Sequence, residues 1–166
     1  MSGFLHVPAQ SGSDRILKMM HRGYTTEQYL SLIERARKRM PDLAIVGDMI
    51  VGYPTETDED FEASLQLLRE VKYKTVYVFK YSTRPNTVAE RIHKDDVDET
   101  TKKLRNNRRL QLQQEIALGH HTAMIGKKLQ VLVEGAARVD PQEQDKAPRD
   151  DDGNVLVRYE GGAKGI

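Results

Sequence analysis

Three apolar segments, each followed by a polar loop and a helical pattern, are the feature that most constrains this chain. The segments are 4–7, 43–51 and 75–81. Residues 43–51 are apolar almost throughout, which is typical of a strand covered on both faces. The repeated order of strand, loop and helix predicts parallel strands joined by right-handed crossovers. We therefore expect an α/β fold of three β/α units, forming half of a barrel or part of an open sheet.

Capping residues predict where the helices begin. Ser13 is placed as the N-cap of a short helix, and apolar residues at spacings of three and four predict a second helix over 26–39. Thr57 and the three carboxylates after it predict the start of a third helix. A long polar helix is expected from about 99 to 121.

The C-terminal part differs from the rest of the chain. Residues 129–134 and 154–159 alternate with period two, which predicts strands. Two strands do not form a stable module, so this part looks cut off. We expect three regions: the β/α units over 1–92, a linker helix over 93–126 and the start of an all-β module over 127–166.

Composition excludes several classes of protein. The chain of 166 residues contains no cysteine, which removes disulfides, thiolate zinc sites and cysteine-ligated iron–sulfur clusters held by this chain itself. The histidines show no metal-ligand spacing, so no metal site is predicted. A net charge of +1 means that any nucleic acid must bind to a local patch. No apolar run reaches membrane-spanning length and no signal peptide is recognised, so we expect a soluble cytoplasmic protein without membrane contact.

In parallel α/β folds, binding groups collect in the loops at the carboxyl ends of the strands. After the first strand, Gln10 and Ser11 offer hydrogen bonds to a ribose or a carboxylate, and Gly12 lets a backbone approach closely. The alternative is an ordinary strand-to-helix turn capped by Ser13.

The second strand and its loop contribute two acids. Asp48 lies within an apolar strand, where a carboxylate is costly unless it is paired or points into a polar cavity. It is either a ligand group or a structural carboxylate on the inner face of the sheet. Glu56 either binds a ligand or caps the helix at Thr57.

Basic residues are the candidates for nucleic-acid contact. Arg84 follows the third strand, where a guanidinium can bind phosphate or carboxylate, or form a surface ion pair. The long helix carries a basic cluster that can contact an RNA backbone or remain a solvated face. This cluster consists of Lys102, Lys103, Arg105, Arg108 and Arg109.

Several motifs resemble those of the radical SAM methylthiotransferases. The resemblance is carried by 6–14 with 20–25, by 48–57 and by 81–87. Residues 131–135 resemble the first strand of the family's TRAM domain. The resemblance implies a partial, TIM-like radical SAM barrel, a linker helix and a truncated, OB-like TRAM module.

The same resemblance implies an activity and its cofactors. The family's transferases use S-adenosyl-L-methionine (SAM) and 4Fe-4S clusters, and the tRNA branch adds a methylthio group to carbon 2 of a modified adenosine next to the anticodon. The resemblance places Gln10, Ser11 and Gly12 near SAM and places Ile50 and Gly52 near its adenine. Thr55 departs from the family pattern, which usually has glycine there.

No catalytic residue is assigned from the sequence. Since the chain carries no cluster ligands, we expect it to be inactive alone and to need the cluster-binding portion of the same protein. Two alternatives stay open: the related branch that modifies a ribosomal protein, and a non-catalytic RNA-binding or scaffold fragment.

Overall fold

The computed structural model of the protein describes residues 3–83 and 95–127. Arg84 and the strands predicted after Lys128, with the whole TRAM module, lie outside the described residues. The described helices and strands follow the predicted order and begin within one residue of the predicted positions. They are β1 (Phe4–His6), α1 (Asp14–Met19), α2 (Thr26–Arg39), β2 (Ala44–Val51), α3 (Asp58–Val71), β3 (Thr75–Lys80) and α4 (Glu99–Thr122).

The three strands form one parallel sheet in the order β1-β2-β3, as the β/α repeat predicts. Leu5 of β1 pairs with Ile45 of β2, and Asp48 of β2 pairs with Tyr77 of β3. With β2 in the centre, the carboxyl ends of all three strands meet at one edge.

The two faces of the sheet differ in their cover. One face carries Ile45, Met49 and Val51, which are almost completely buried against α2 and α3. The opposite face carries His6, Asp48 and Ile50, and we call it the open face. Within the described residues its aromatic side chains are about half exposed: Phe4 55%, Tyr77 54% and Phe79 55%.

Side-chain caps begin the helices, as the sequence predicts. Ser13 Oγ accepts the Ile16 N–H at the start of α1. Thr25 and Thr57 begin α2 and α3 with reciprocal capping boxes, closed by Gln28 and Asp60. These caps satisfy amide donors that have no partner within the helix.

Helix α4 packs against the sheet unit instead of standing apart as a linker. Leu112 and Ile116 lie against the apolar core. Gln113 Nε2 donates to the Tyr73 carbonyl at 3.1 Å, and His120 Nε2 lies 2.9 Å from the Lys72 carbonyl. The compact unit therefore extends to His120, beyond residue 92, where the β/α region is predicted to end.

Among the described residues, no helix combines the length and the apolarity that crossing a bilayer requires.

Asp60 joins α1 to α3 at the carboxyl edge. Its carboxylate accepts from Ser13 Oγ at 2.6 Å, from the Arg15 guanidinium and from the Thr57 N–H. Burial alone raises the pKa of Asp60, but the hydrogen bonds from Arg15, Ser13 and Thr57 outweigh it and hold the pKa well below its ordinary value.

We predict that Asp60 accounts for part of the acid sensitivity of this fold. A lowered pKa in the folded state means that the unfolded chain binds more protons, so stability falls as the pH drops below about 4. Asp60→Asn should lower the free energy of unfolding at pH 7 by about 1–3 kcal/mol and flatten its decline in acid. Urea unfolding at pH 3–7 measures both.

The control is Asp42→Asn, which replaces an exposed aspartate just before β2. It should leave stability at pH 7 within about 0.5 kcal/mol of the parent. If the free energy of unfolding declines as steeply in acid for Asp60→Asn as for the parent, the role given to Asp60 is contradicted.

Candidate functional site

The loop after β1 runs alongside β2 at the carboxyl edge. The Gln10 N–H donates to the Asp48 carbonyl at 2.8 Å, and the Ile50 N–H donates to the Gln10 carbonyl at 2.8 Å. Gln10 has φ +66°, in the left-handed region that few non-glycine residues adopt. The structure thus brings Gln10, Asp48 and Ile50 together, three of the residues predicted to bind the cofactor.

Ser11 and Gly12, in contrast, are engaged inside the protein. The Gly12 N–H donates to Ser64 Oγ at 2.9 Å, and a Cβ atom at Gly12 would lie 2.5 Å from the Ala63 carbonyl oxygen. Ser11 is 1% exposed, and its Oγ accepts the Ser13 N–H at 3.1 Å. The close approach that Gly12 permits is to α3, which matches the alternative interpretation of this motif as a strand-to-helix turn.

Asp48 points to the open face and is paired there. Its Oδ1 lies 3.1 Å from His6 Nε2, and the Asp48 side chain is 23% exposed. The ring of His6 makes an edge contact with Tyr77, with 6.3 Å between the ring centroids. A partly exposed carboxylate beside an imidazole can accept hydrogen bonds from the hydroxyl or amino groups of a ligand.

The loop between β2 and α3, residues 52–57, is called the β2–α3 loop. Gly52 has φ +72°, and a Cβ atom there would lie 2.3 Å from Lys102 Cγ, so this position requires glycine. Thr55 has φ +64°, the conformation that the glycine usual in the family adopts without strain. Thr55 therefore keeps a glycine-like backbone, and its N–H donates to Asp96 Oδ1 at 2.7 Å.

Glu56 lies at the centre of a buried ion cluster. Its side chain is 0% exposed and accepts the Gly52 N–H at 2.8 Å and Arg105 Nη1 at 3.0 Å. Arg109 Nη2 lies 3.8 Å from the other carboxylate oxygen. Glu56 does not cap α3, since Asp60 closes that capping box.

The guanidinium of Arg109 is fully buried. Its Nη1 donates to the Ile50 carbonyl at 2.8 Å, and its Cζ lies 5.4 Å from the centroid of the Phe61 ring. Burial lowers the pKa of Arg109 to about 10, with a further lowering from the charge of Arg105 that the charge of Glu56 opposes. Arg109 remains charged at neutral pH.

The basic cluster of α4 is not one solvent-facing surface. Lys102, Arg105 and Arg109 are 2%, 7% and 0% exposed, and the Lys102 ammonium donates to Asp95 at 2.6 and 2.8 Å. Lys103 and Arg108 remain on the exposed side. The spacing of three and four between residues 102, 105 and 109 puts their side chains on the face that contacts the sheet unit.

Residues 3–68 match the sequence model of the Radical SAM superfamily. The chain is also 47% identical over 135 residues to the tRNA-2-methylthio-N(6)-dimethylallyladenosine synthase of Ruegeria sp. (strain TM1040). It is 45% identical over 134 residues to the protein of the same name from Porphyromonas gingivalis and 46% identical over 131 residues to that of Protochlamydia amoebophila. Over most of its length, the chain is therefore similar to these synthases. The alignments cover 79–81% of this chain, and the chain spans only 29–30% of the length of these relatives.

The Radical SAM superfamily implies two cofactors, an iron–sulfur cluster and SAM, and the residues of this chain fit them differently. An iron–sulfur cluster does not fit, because the chain has no cysteine and no three described His, Asp or Glu side chains are grouped to hold a metal ion. SAM fits better, because Asp48 presents a partly exposed carboxylate on the open face, next to the backbone of Gln10. The predicted residues Ser11, Gly12, Gly52 and Glu56 are occupied by contacts within the protein.

We predict that Glu56→Gln destabilises the chain strongly. It removes the negative charge shared by two buried guanidiniums, and breaking a buried pair from one side costs about 3–5 kcal/mol. Glu62→Gln is the matched control, because Glu62 is 52% exposed where it pairs with Arg69 and Arg108. That change should cost less than about 1 kcal/mol in urea unfolding. Equal losses for the two variants would contradict the ion cluster.

The backbone at residue 55 can be tested separately. Both Thr55→Gly and Thr55→Ala remove the side-chain hydroxyl, but only glycine relieves the left-handed strain, so the glycine variant should be more stable by about 1 kcal/mol. Thr101, in the first turn of α4, is the control position. There Thr101→Ala should be more stable than Thr101→Gly by about 0.5–1 kcal/mol, because alanine favours a helix. Alanine being more stable than glycine at both positions would contradict the left-handed backbone.

Proposed function

We propose that this chain is part of a tRNA methylthiotransferase that adds a methylthio group to carbon 2 of a modified adenosine next to the anticodon. The observation that supports this most is 43–47% identity to four synthases named for that tRNA product, over 79–82% of the chain. All four names refer to tRNA, so the ribosomal-protein alternative is not favoured. A tRNA substrate is also consistent with a cytoplasmic location.

On the cofactor side, we assign Gln10, Asp48 and Ile50 to the SAM pocket. They lie together at the carboxyl edge and the open face, where a polar ligand can meet the Asp48 carboxylate. SAM, when bound, supplies the methyl group and the precursor of the radical. The clusters must be held by another portion of the protein, because this chain offers no thiolate ligand.

Of the basic cluster on α4, we assign only the two exposed residues to RNA contact. Lys103 and Arg108 can reach phosphates, while the charges of Lys102, Arg105 and Arg109 are directed to partners inside the protein. Arg84 keeps its predicted RNA role. Binding by so few exposed cations is electrostatic and weakens as salt rises.

A chimera tests the function directly. The matching segment of the Porphyromonas gingivalis synthase is replaced by this chain, and the chimera is expressed in cells that lack their own synthase. We expect 2-methylthio-N(6)-dimethylallyladenosine in digested tRNA, measured by mass spectrometry. A soluble chimera with loaded clusters that yields no such nucleoside would contradict the proposal.

Two substitutions in the chimera test the SAM pocket. Asp48→Asn removes the open-face carboxylate and should raise the dissociation constant for SAM about tenfold, equivalent to one charged hydrogen bond. Asp42→Asn removes an exposed carboxylate at the opposite end of β2 and should leave that constant unchanged. If both variants bind SAM with equal affinity, the assignment of Asp48 to the SAM pocket is wrong.

A further inference from the structure

Helix α4 holds both ends of the β2–α3 loop through one face. Arg109 Nη1 donates to the Ile50 carbonyl at 2.8 Å, just before the loop, and Arg105 Nη1 donates to the Glu56 carbonyl at 3.0 Å, near its end. Between them, the stem of Lys102 fills the space beside Gly52. Backbone groups of the strand end and of the loop are thus fixed by side chains of a helix about 50 residues later in sequence.

The β2–α3 loop needs such support because of its backbone. Gly52 and Thr55 both have positive φ, at +72° and +64°. Conformations of this kind persist where the surrounding structure determines them. The Gly52 N–H reaches Glu56 Oε2 at 2.8 Å, and the same oxygen atom accepts from Arg105. The arginine therefore fixes the carboxylate that fixes the loop.

Stability alone does not explain why charges occupy this interface. Buried ion pairs can often be replaced by apolar residues of similar volume without loss of stability. A guanidinium differs from an apolar side chain because its donors form a planar, rigid fork with fixed directions. Two such forks, aimed at the Ile50 and Glu56 carbonyls, specify where the loop lies relative to β2.

We propose that Arg105 and Arg109 are positioning residues for the carboxyl edge of the sheet. They hold the β2–α3 loop in the conformation that borders the SAM pocket, and they do not touch SAM, because both are buried beneath the loop. This inference rests on the proposed function for its consequence at SAM, but the effect on the loop is independent of it.

The effect on the loop is measured in the 166-residue chain by amide hydrogen exchange at Gly52. Arg109→Met should speed this exchange about tenfold or more, because the Glu56 carboxylate loses one of its two cationic partners and the Ile50 carbonyl loses its donor. Arg109→Lys restores the charge and should recover part of the protection. Arg108→Met is the matched control: it changes the adjacent, half-exposed arginine and should leave Gly52 within twofold of the parent.

The consequence at SAM is measured as the dissociation constant in the cluster-loaded chimera. Arg109→Met should raise this constant about tenfold. Tyr73→Phe controls for lost stability, because it removes the buried hydroxyl contact to Tyr29 ahead of β3, and it should leave the SAM constant unchanged. If Arg109→Met does not fold, Arg105→Lys replaces it, with the same direction expected at Gly52 and at SAM.

The outcomes separate the two proposals. Unchanged Gly52 exchange in folded Arg109→Met, or in folded Arg105→Lys, overturns the positioning role. Faster Gly52 exchange with unchanged SAM affinity overturns its link to the pocket. A parent chimera that binds no SAM overturns the proposed function, while the Gly52 measurement still decides whether Arg109 positions the loop.

Discussion

A single buried carboxylate organises the carboxyl edge of this protein. Glu56 accepts the Gly52 N–H and Arg105, lies close to Arg109, and has no exposed side-chain surface. Isolated in the interior, such a charge would be prohibitively costly, so the fold must supply compensating donors. Helix α4 supplies them, and this requirement ties the last described helix to the central strand.

The same constraint separates two surfaces with different uses. The covered face of the sheet and α4 form the packed side of the unit, while Asp48 and His6 remain on the open face. The β2–α3 loop lies where these two sides meet at the carboxyl edge. In the proposed methylthiotransferase, packing on one side therefore fixes the border of the cofactor pocket on the other.

The local features of the fold could be predicted from the sequence. Which basic side chains of α4 point into the protein could not. Apolar spacing and the cap before Thr26 predict the bounds of α2, because these signals act within one or two turns. The burial of Arg105 depends on Glu56, which lies 49 residues away in sequence. The available signal was the spacing of Lys102, Arg105 and Arg109, which Leu112 and Ile116 continue along the same face of α4. The reason for glycine at residue 12 could not be predicted either, because the backbone that approaches it belongs to α3 and is brought there by tertiary packing.

The most direct test of the ion cluster is NMR of the arginine side chains. Arg105 and Arg109 are held by fixed acceptors and are nearly or fully buried, whereas the Arg108 side chain is 51% exposed and serves as an internal reference. We expect slow exchange of the guanidinium N–H protons and restricted rotation about the Nε–Cζ bond for Arg105 and Arg109. In Glu56→Gln, we expect faster proton exchange and freer rotation for both arginines. Guanidinium exchange as fast for Arg105 and Arg109 as for Arg108 would contradict the cluster and the positioning of the loop that depends on it.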